Sequence, residues 1–593
     1  MSALVNEYDF NLPQLPGLDL SRVETEWSRF RSNIPEIWKF NNDGREFQVG
    51  DEMKLRGLSA KHPVVLIPGV VSTGLESWST SPSFRAFFRE KVWGGFNMIS
   101  QVTFNRDMWI SAMMLDPITG LDPPYTKVRA AEGIDAASTF IQGYWIWHAI
   151  VENLAVVNYD TNNLYLAPYD WRLSYYNLEE RDGYFSKLKN TIESLKGRQK
   201  EKVVIAAHSM GATGRLTCFI YVFKWVESPE HGAGGPDWVE NHIAAYISIA
   251  GTHLVKAMAA FLSGEMKDTV QMNPAGAYVL EQFFSRKERQ KLFRSWAGSA
   301  SMWIKGGDTI WGNLTHAPDD DYNTMHSHGE LISFRNQSFP DGNGISANMT
   351  SNAAGTWILQ HTPSHFQKMI ATNYSFDIER NEIALKKNDL DHTKWSNPLE
   401  VRRLPYAPSL KIYCVYGHGK ETEVTKLRSS RYTLGKYERD VTAEGGTGAR
   451  CIEPGTGDGC INPYLDLKPP LSRTSWIDSS YTNETVIPKV RNGVKMGEGD
   501  GTVNLLSLGA MCAEGWKRPR WNPAGIKITT IELPHQPITS IPRGGANTSD
   551  HVDILGSTGL NKIILKVATG VGDEIEDNYV SNIREYAQKI RWD

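Results

Sequence analysis

The amino-acid sequence predicts an α/β fold, a mostly parallel sheet with helices on both faces, and three observations carry that prediction. Short apolar runs suited to buried strands recur along the chain, and stretches of helical 3-4 apolar spacing separate them. The one long break in this alternation, from about Val255 to Leu404, is dense in Gly, Asn, Asp and Pro, as expected of an insertion rather than of the sheet itself. The first run is His62-Pro63-Val64-Val65-Leu66-Ile67-Pro68-Gly69, a strand that breaks into a Pro-Gly turn, and Asn163-Leu164-Tyr165-Leu166-Ala167 is the next. Phe185, Leu188, Ile192 and Leu195 line one face of a helix between Asp182 and Arg198, which leads into the strand starting at Val203. Helix follows from Leu216 to Val226 and strand from Ile243 to Ile249. After the break come the strand Leu410 to Gly417, a last strand from Ile526 to Leu533 and a last helix from Val552 to Ala568. The expected organisation is therefore an N-terminal arm over 1–60 packing on the core, core over 61–254 with a lid region at 76–120, a cap insertion over 255–405, and the rest of the core over 406–593.

Composition narrows the function classes. With 593 residues the chain exceeds one ordinary domain, and 40% hydrophobic against 22% charged residues suffices for a large core. Sixty-three basic against 67 acidic residues give a net charge of −4, so nothing points to nucleic acid as a partner. No phosphate loop, dinucleotide fingerprint, zinc spacing, EF-hand loop or internal repeat is visible, so the expectation is catalysis without cofactor or metal. No apolar run reaches the roughly 18 residues needed to span a bilayer, and the first residues lack a signal-peptide pattern, so the chain reads as soluble. Sequons at Asn313, Asn336, Asn348, Asn373, Asn483 and Asn547 nevertheless favour a lumenal or secreted setting. The cysteines fit that setting: Cys451 and Cys460 bracket a loop that a disulfide could staple, and Cys414 and Cys512 could join a strand to a later helix. Cys218 would remain a buried free thiol, and five reduced core cysteines are the alternative.

The chemistry centres on Val203-Val204-Ile205-Ala206-Ala207-His208-Ser209-Met210-Gly211. A serine hydroxyl becomes a useful nucleophile when a base takes its proton and the backbone holds it exposed, and a sharp strand–serine–helix turn does the second. Ser209 sits in such a pattern, with Ala207 where the Gly-x-Ser-x-Gly elbow has its first glycine; the alternative is an ordinary helix start. In this class of sheet, an α/β-hydrolase fold, the order along the chain is serine, acid, histidine, with each partner in a loop at the carboxyl end of a strand. Asp500, in Gly497-Glu498-Gly499-Asp500-Gly501-Thr502-Val503, is the candidate acid; a plain turn aspartate is the other reading. For the base there are two candidates after the last strand, His535 and His551, of which His551 lies just before the predicted final helix.

Several longer segments carry a family resemblance: His62 to Trp78, Pro168-Tyr169-Asp170-Trp171-Arg172-Leu173-Ser174, Ala207 to Gly211, Ser263 to Asp268, Gly499 to Val503 and His551 to Gly556. In this order they resemble the lecithin:cholesterol acyltransferase family, and within it most resemble the branch of fungi, plants and algae that moves acyl chains from phospholipid to diacylglycerol. The resemblance implies an α/β-hydrolase fold with lid and large cap insertions, the triad Ser209, Asp500 and His551, and an oxyanion hole made by the backbone N–H groups of Val70 and Met210. It implies transfer of an acyl chain, the sn-2 chain, from phospholipid to diacylglycerol through an acyl-serine, with no acyl-CoA and no cofactor. A phospholipase or a sterol acyltransferase would use the same triad, whereas a silent lipid-binding module would have lost it. It further implies a membrane surface as partner and the lumenal face of the endoplasmic reticulum as location, with the branch's N-terminal membrane helix absent from this chain.

Two segments bear on substrate. Trp78, Trp93, Phe96 and Trp109 fall in an apolar stretch directly after the oxyanion turn and are candidates for a lipid-gripping lid, with core helices as the alternative. Members of the family often place a disulfide in this lid, and no cysteine occurs there. The basic and aromatic run from Phe283 to Arg294 is expected to be a solvated helix face, with contact to anionic headgroups the other option. Asp170 and Arg172 are expected to pair structurally.

Overall fold

The computed structural model describes residues 48–141, 144–254, 286–335, 345–360, 362–425, 482–491, 494–538 and 541–593. Most of the predicted N-terminal arm, the Ser263–Asp268 motif, the Cys451 and Cys460 pair and Asn336 lie outside the described residues. Six strands form the central sheet: β1 (Val64–Ile67), β2 (Leu164–Leu166), β3 (Val203–His208), β4 (Ile243–Ile249), β5 (Lys411–His418) and β6 (Lys527–Pro534). Their order is β6-β5-β4-β3-β1-β2, and every pair is parallel. Nearly continuous Val, Ile and Ala in β1 and β3 match this position, since a parallel strand covered by helices is buried on both faces, and all ten residues of these two strands are buried. The result is the α/β-hydrolase architecture.

The topology places the site. From β1 the chain runs to the edge strand β2 and then returns to the other side of β1 to enter β3. Crevices open at such reversal points beyond the carboxyl ends of the strands. Here β1 and β3 are neighbours in register, Ile67 beside Ala207, so the Pro68-Gly69-Val70 turn and Ser209 leave the sheet side by side.

The helices follow the predicted spacing. Helix α1 (Tyr184–Gln199) buries Phe185, Leu188, Ile192 and Leu195, and α2 (Met210–Glu227) starts directly at the serine. Helix α3 (Leu505–Ala513) is capped by Asn504, whose side chain accepts the Ser507 N–H. The expected helix over 552–568 is instead a short 3-10 turn, Asp553–Gly556, followed by α4 (Thr558–Ala568). The reason is local: Ser557 takes an extended conformation and its side chain accepts the Leu560 N–H, so the regular helix begins there. Among the described residues no helix is long and apolar enough to cross a membrane.

Between the neighbouring strands β4 and β5 the chain makes a long excursion whose described parts include helices Arg286–Ser295, Ser351–Gln360, Ser364–Asn373 and Glu382–Asn388. It is tied to the sheet layers by backbone bonds such as Gly298 N–H to Arg172 C=O (2.9 Å) and Leu404 N–H to Trp521 C=O (2.7 Å). Cys414 of β5 and Cys512 of α3 form a buried disulfide across 98 residues. In the chain-entropy model a cross-link closing so long a loop stabilises a fold by roughly 5 kcal/mol.

The apolar stretch after the oxyanion turn differs from a free lid. Strands Leu75–Ser77, Lys91–Trp93 and Val128–Ala130 form a small antiparallel sheet, followed by helices Phe96–Phe104 and Arg106–Met113. Trp109 is buried and donates its indole N–H to Val92 C=O at 2.7 Å. Trp93 packs against Trp109, Phe140, Trp171 and Trp296. Trp109 is thus a core residue, the alternative reading, while Trp93 is half-buried against the core; aromatic residues at this density gain from burying each other. Trp78 is partly exposed, edge-on to Phe88 and beneath the Arg89 guanidinium, and Phe96 opens its helix. The helix Arg286–Ser295 also departs from expectation, for Arg289, Leu292, Phe293 and Arg294 are all buried. One face of it is packed into the protein, while Lys291 is exposed.

Candidate active site

Ser209 stands at the end of β3 with φ +54° and ψ −124°, a conformation that side-chain-bearing residues seldom adopt. Tight approach to the neighbouring turn explains the small residues around it. A Cβ at Gly211 would fall 2.1 Å from the Pro68 carbonyl oxygen, and one at Gly69 would fall 2.9 Å from Ser209 Cβ. Ala207, by contrast, still lies within β3, paired with Ile67 on one side and Ser248 on the other, where an ordinary strand residue fits. The first glycine of the elbow is therefore dispensable in this chain.

The three residues proposed from sequence come together. Ser209 Oγ lies 2.7 Å from His551 Nε2, and His551 Nδ1 lies 2.6 Å from Asp500 Oδ2. Because a carboxylate only accepts, Nδ1 carries the proton and Nε2 presents its lone pair to the serine hydroxyl. Asp500 is fully buried, its Oδ1 accepting the N–H groups of Thr502 (3.0 Å) and Val503 (2.7 Å). The Asp500 carbonyl accepts the His551 N–H at 3.0 Å, so acid and base loops are joined through backbone as well as side chain. Glycine lets β5 approach the base loop: a Cβ at Gly417, near the end of β5, would fall 1.5 Å from the Ser549 carbonyl oxygen.

His535 has another task. Its Nδ1 accepts the Ser549 N–H at 3.3 Å, which supports the loop that carries His551. Sequence reasoning missed His208, whose only signal was its place beside the serine. His208 is buried and its Nε2 donates to the His551 carbonyl at 2.6 Å. Burial and the adjacent His551 push its pKa down to about 3, so the ring is neutral and the donor tautomer is fixed by the carbonyl. It thus holds the backbone of the base from below.

The candidate oxyanion donors flank the serine. Met210 occupies the first position of α2, where an N–H has no intrahelical acceptor. Val70 lies in the turn from Gly69 to Ser72, closed by Ser72 N–H to Gly69 C=O at 3.4 Å. Behind this turn Asp170 and Arg172 pair in full burial, Nε to Oδ1 at 2.9 Å and Nη2 to Oδ2 at 2.7 Å, and Arg181 adds a third contact at 2.7 Å. Burial pushes the Asp170 carboxyl up, but the Arg172 and Arg181 guanidiniums outweigh it and hold the group well below the usual carboxylate range. Arg172 also donates to the Met113 carbonyl at 3.1 Å, so this pair ties the segment after β2 to the end of the helix Arg106–Met113, a structural role.

One group among the described residues has metal-ligand geometry, Asp319, Asp320 and His328, with ligand atoms within 4.8 Å of one another. Asp320 already accepts the N–H groups of Ala317 and His328, and the group shares no residue with the serine site.

The site can therefore deprotonate a serine and pass the proton on to a leaving group, two requirements of acyl transfer. Comparison with known proteins agrees with that chemistry. The family model described as lecithin:cholesterol acyltransferase matches residues 87–464 and 469–558. A phospholipid:diacylglycerol acyltransferase of Schizosaccharomyces pombe is 43% identical over 93% of this chain and 79% of its own length. One of Saccharomyces cerevisiae is 40% identical over 92% of this chain and 76% of its own length. Phospholipid:diacylglycerol acyltransferase 1 of Arabidopsis thaliana is 32% identical over 91% of this chain and 85% of its own length.

Proposed function

The chain belongs to the lecithin:cholesterol acyltransferase family, and from that premise we propose that it moves an acyl chain, the sn-2 chain, from a phospholipid to diacylglycerol. The carrying observation is the Ser209–His551–Asp500 relay, buried and aligned at the end of β3, in a chain 43% identical to a phospholipid:diacylglycerol acyltransferase. His551 Nε2 takes the Ser209 proton as Oγ attacks the ester carbonyl, and the N–H groups of Val70 and Met210 hold the oxyanion, about 3 kcal/mol per donor. The tetrahedral adduct collapses by breaking the ester C–O bond; the departing lysophospholipid oxygen takes the proton from His551 and leaves an acyl-serine. Diacylglycerol then gives its hydroxyl proton to His551 and attacks the acyl carbonyl. Collapse of this second adduct releases triacylglycerol and returns the proton to Ser209. Asp500 keeps Nδ1 protonated and offsets the imidazolium charge throughout. Given phospholipid labelled in its sn-2 chain together with diacylglycerol, the purified protein is expected to place the label in triacylglycerol.

Both substrates reside in bilayers, which supports work at a membrane surface; the exposed side chains of Trp78, Phe88 and Phe104 offer apolar area on one segment of the fold. A lumenal location in the endoplasmic reticulum is supported by the Cys414–Cys512 disulfide and by exposed sequons at Asn313 and Asn547. Full-length protein from a eukaryotic host is expected to shift in electrophoretic mobility on endoglycosidase treatment, with a smaller shift for Asn313→Gln. The absence of any shift would contradict that location.

A further inference from the structure

The turn that carries Val70 is strained in one place. Gly69 to Ser72 is a four-residue turn, and its third residue, Val71, has φ +56°. That position in a turn with positive φ ordinarily takes glycine, and a β-branched residue is the least suited to it. Something outside the turn must hold it, and two indoles do. Trp93 Nε1 donates to the Val71 carbonyl at 2.8 Å, and Trp171 Nε1 donates to the Thr73 carbonyl at 3.1 Å. The two rings meet edge to face with centroids 5.1 Å apart, and Trp93 is further seated against Trp109 and Phe140. The clamp is thus anchored in packed core, while its donors point at the carbonyls just beyond the oxyanion residue.

We propose that Trp93 is a positioning residue for acyl transfer: its indole N–H holds Val71 in the strained conformation that aims the Val70 N–H at the oxyanion. This rests on reading Val70 as an oxyanion donor beside a nucleophilic Ser209. Trp93 touches no reacting atom and acts through the turn. A free turn would relax toward negative φ at Val71 and rotate the adjoining peptides, so a preorganised donor would have to be reorganised in each turnover.

Trp93→Phe keeps a ring against Trp109 and Phe140 and deletes the donor, while Val71→Gly removes the strain that the donor opposes. The full chain in both backgrounds is assayed for kcat, for KM with phospholipid, and for the rate of Ser209 labelling by a fluorophosphonate, whose phosphoryl oxygen uses the same donors. Rates are expressed per titrated site. In the native background Trp93→Phe is expected to lower kcat and the labelling rate about tenfold, with KM changed less than about twofold. In the Val71→Gly background the same substitution is expected to cost less than about threefold. An unchanged kcat in Trp93→Phe, or an equal loss in both backgrounds, would overturn the clamp. If Trp93→Phe purifies without titratable sites, recovery of sites on adding Val71→Gly supports it and failure to recover them overturns it. Wild-type protein that takes no label at Ser209 would instead overturn the serine reading, a result distinct from a fully labelled Trp93→Phe with an unaltered rate.

Discussion

Ser209→Ala is expected to lower kcat for acyl transfer by about six orders of magnitude, the scale on which loss of the nucleophile removes the whole relay. Stability should change little. Serine already pays for φ +54° at this position, and alanine meets the same backbone cost, so the elbow is neither relieved nor further strained. The hydroxyl touches His551 Nε2, and its loss leaves an unused acceptor rather than an unsatisfied donor, because Nε2 is the unprotonated side of the ring. A thermal melt beside the assay checks both halves. Activity above one part in a thousand of wild type, with a native melt, would mean that another group attacks the ester.

Asp500→Asn should cost about four orders of magnitude in kcat with the fold intact, the size of effect seen when a triad carboxylate becomes an amide. The geometry gives the reason. The side-chain oxygen that accepts the Thr502 and Val503 N–H groups survives the substitution, so the loop keeps its shape. The amide nitrogen then faces His551 Nδ1, and two donors meet at 2.6 Å unless the ring changes tautomer. With the proton moved to Nε2, His551 can no longer accept from Ser209. A pH–rate profile together with kcat distinguishes this from unfolding: a well-folded variant within tenfold of wild type would contradict the assigned role.

How much of this was legible in the sequence depends on which force set each feature. The sheet was legible because buried parallel strands are continuous apolar runs, and Val203 to His208 and Ile243 to Ile249 stand where their composition places them. The triad was legible because its members sit at turns that need particular small residues, and the family resemblance separated His551 from His535. The helix start near Val552 was displaced by one local hydrogen bond, the Ser557 cap, which composition does not distinguish from other serines. The choice between lid and core for Trp93 and Trp109 stayed open for a different reason: an apolar run reads the same whether it faces lipid or core, and the contacts of Trp93 with Trp171 and Trp296 join residues far apart in the chain. The same holds for Arg289 and Arg294, whose charge suggests solvent until the packing of their helix is known. His208 was invisible because its role is to donate to a carbonyl 343 residues away.

The most direct test of the acyl-transfer reading uses purified protein, phospholipid labelled in the sn-2 chain, and diacylglycerol present or withheld. The triad serves water and diacylglycerol equally well, so only the fate of the acyl-serine separates transferase from hydrolase. The predicted result is label in triacylglycerol when diacylglycerol is present, little free fatty acid in either case, and neither product from Ser209→Ala. Label released mainly as free fatty acid whether or not diacylglycerol is supplied would contradict it.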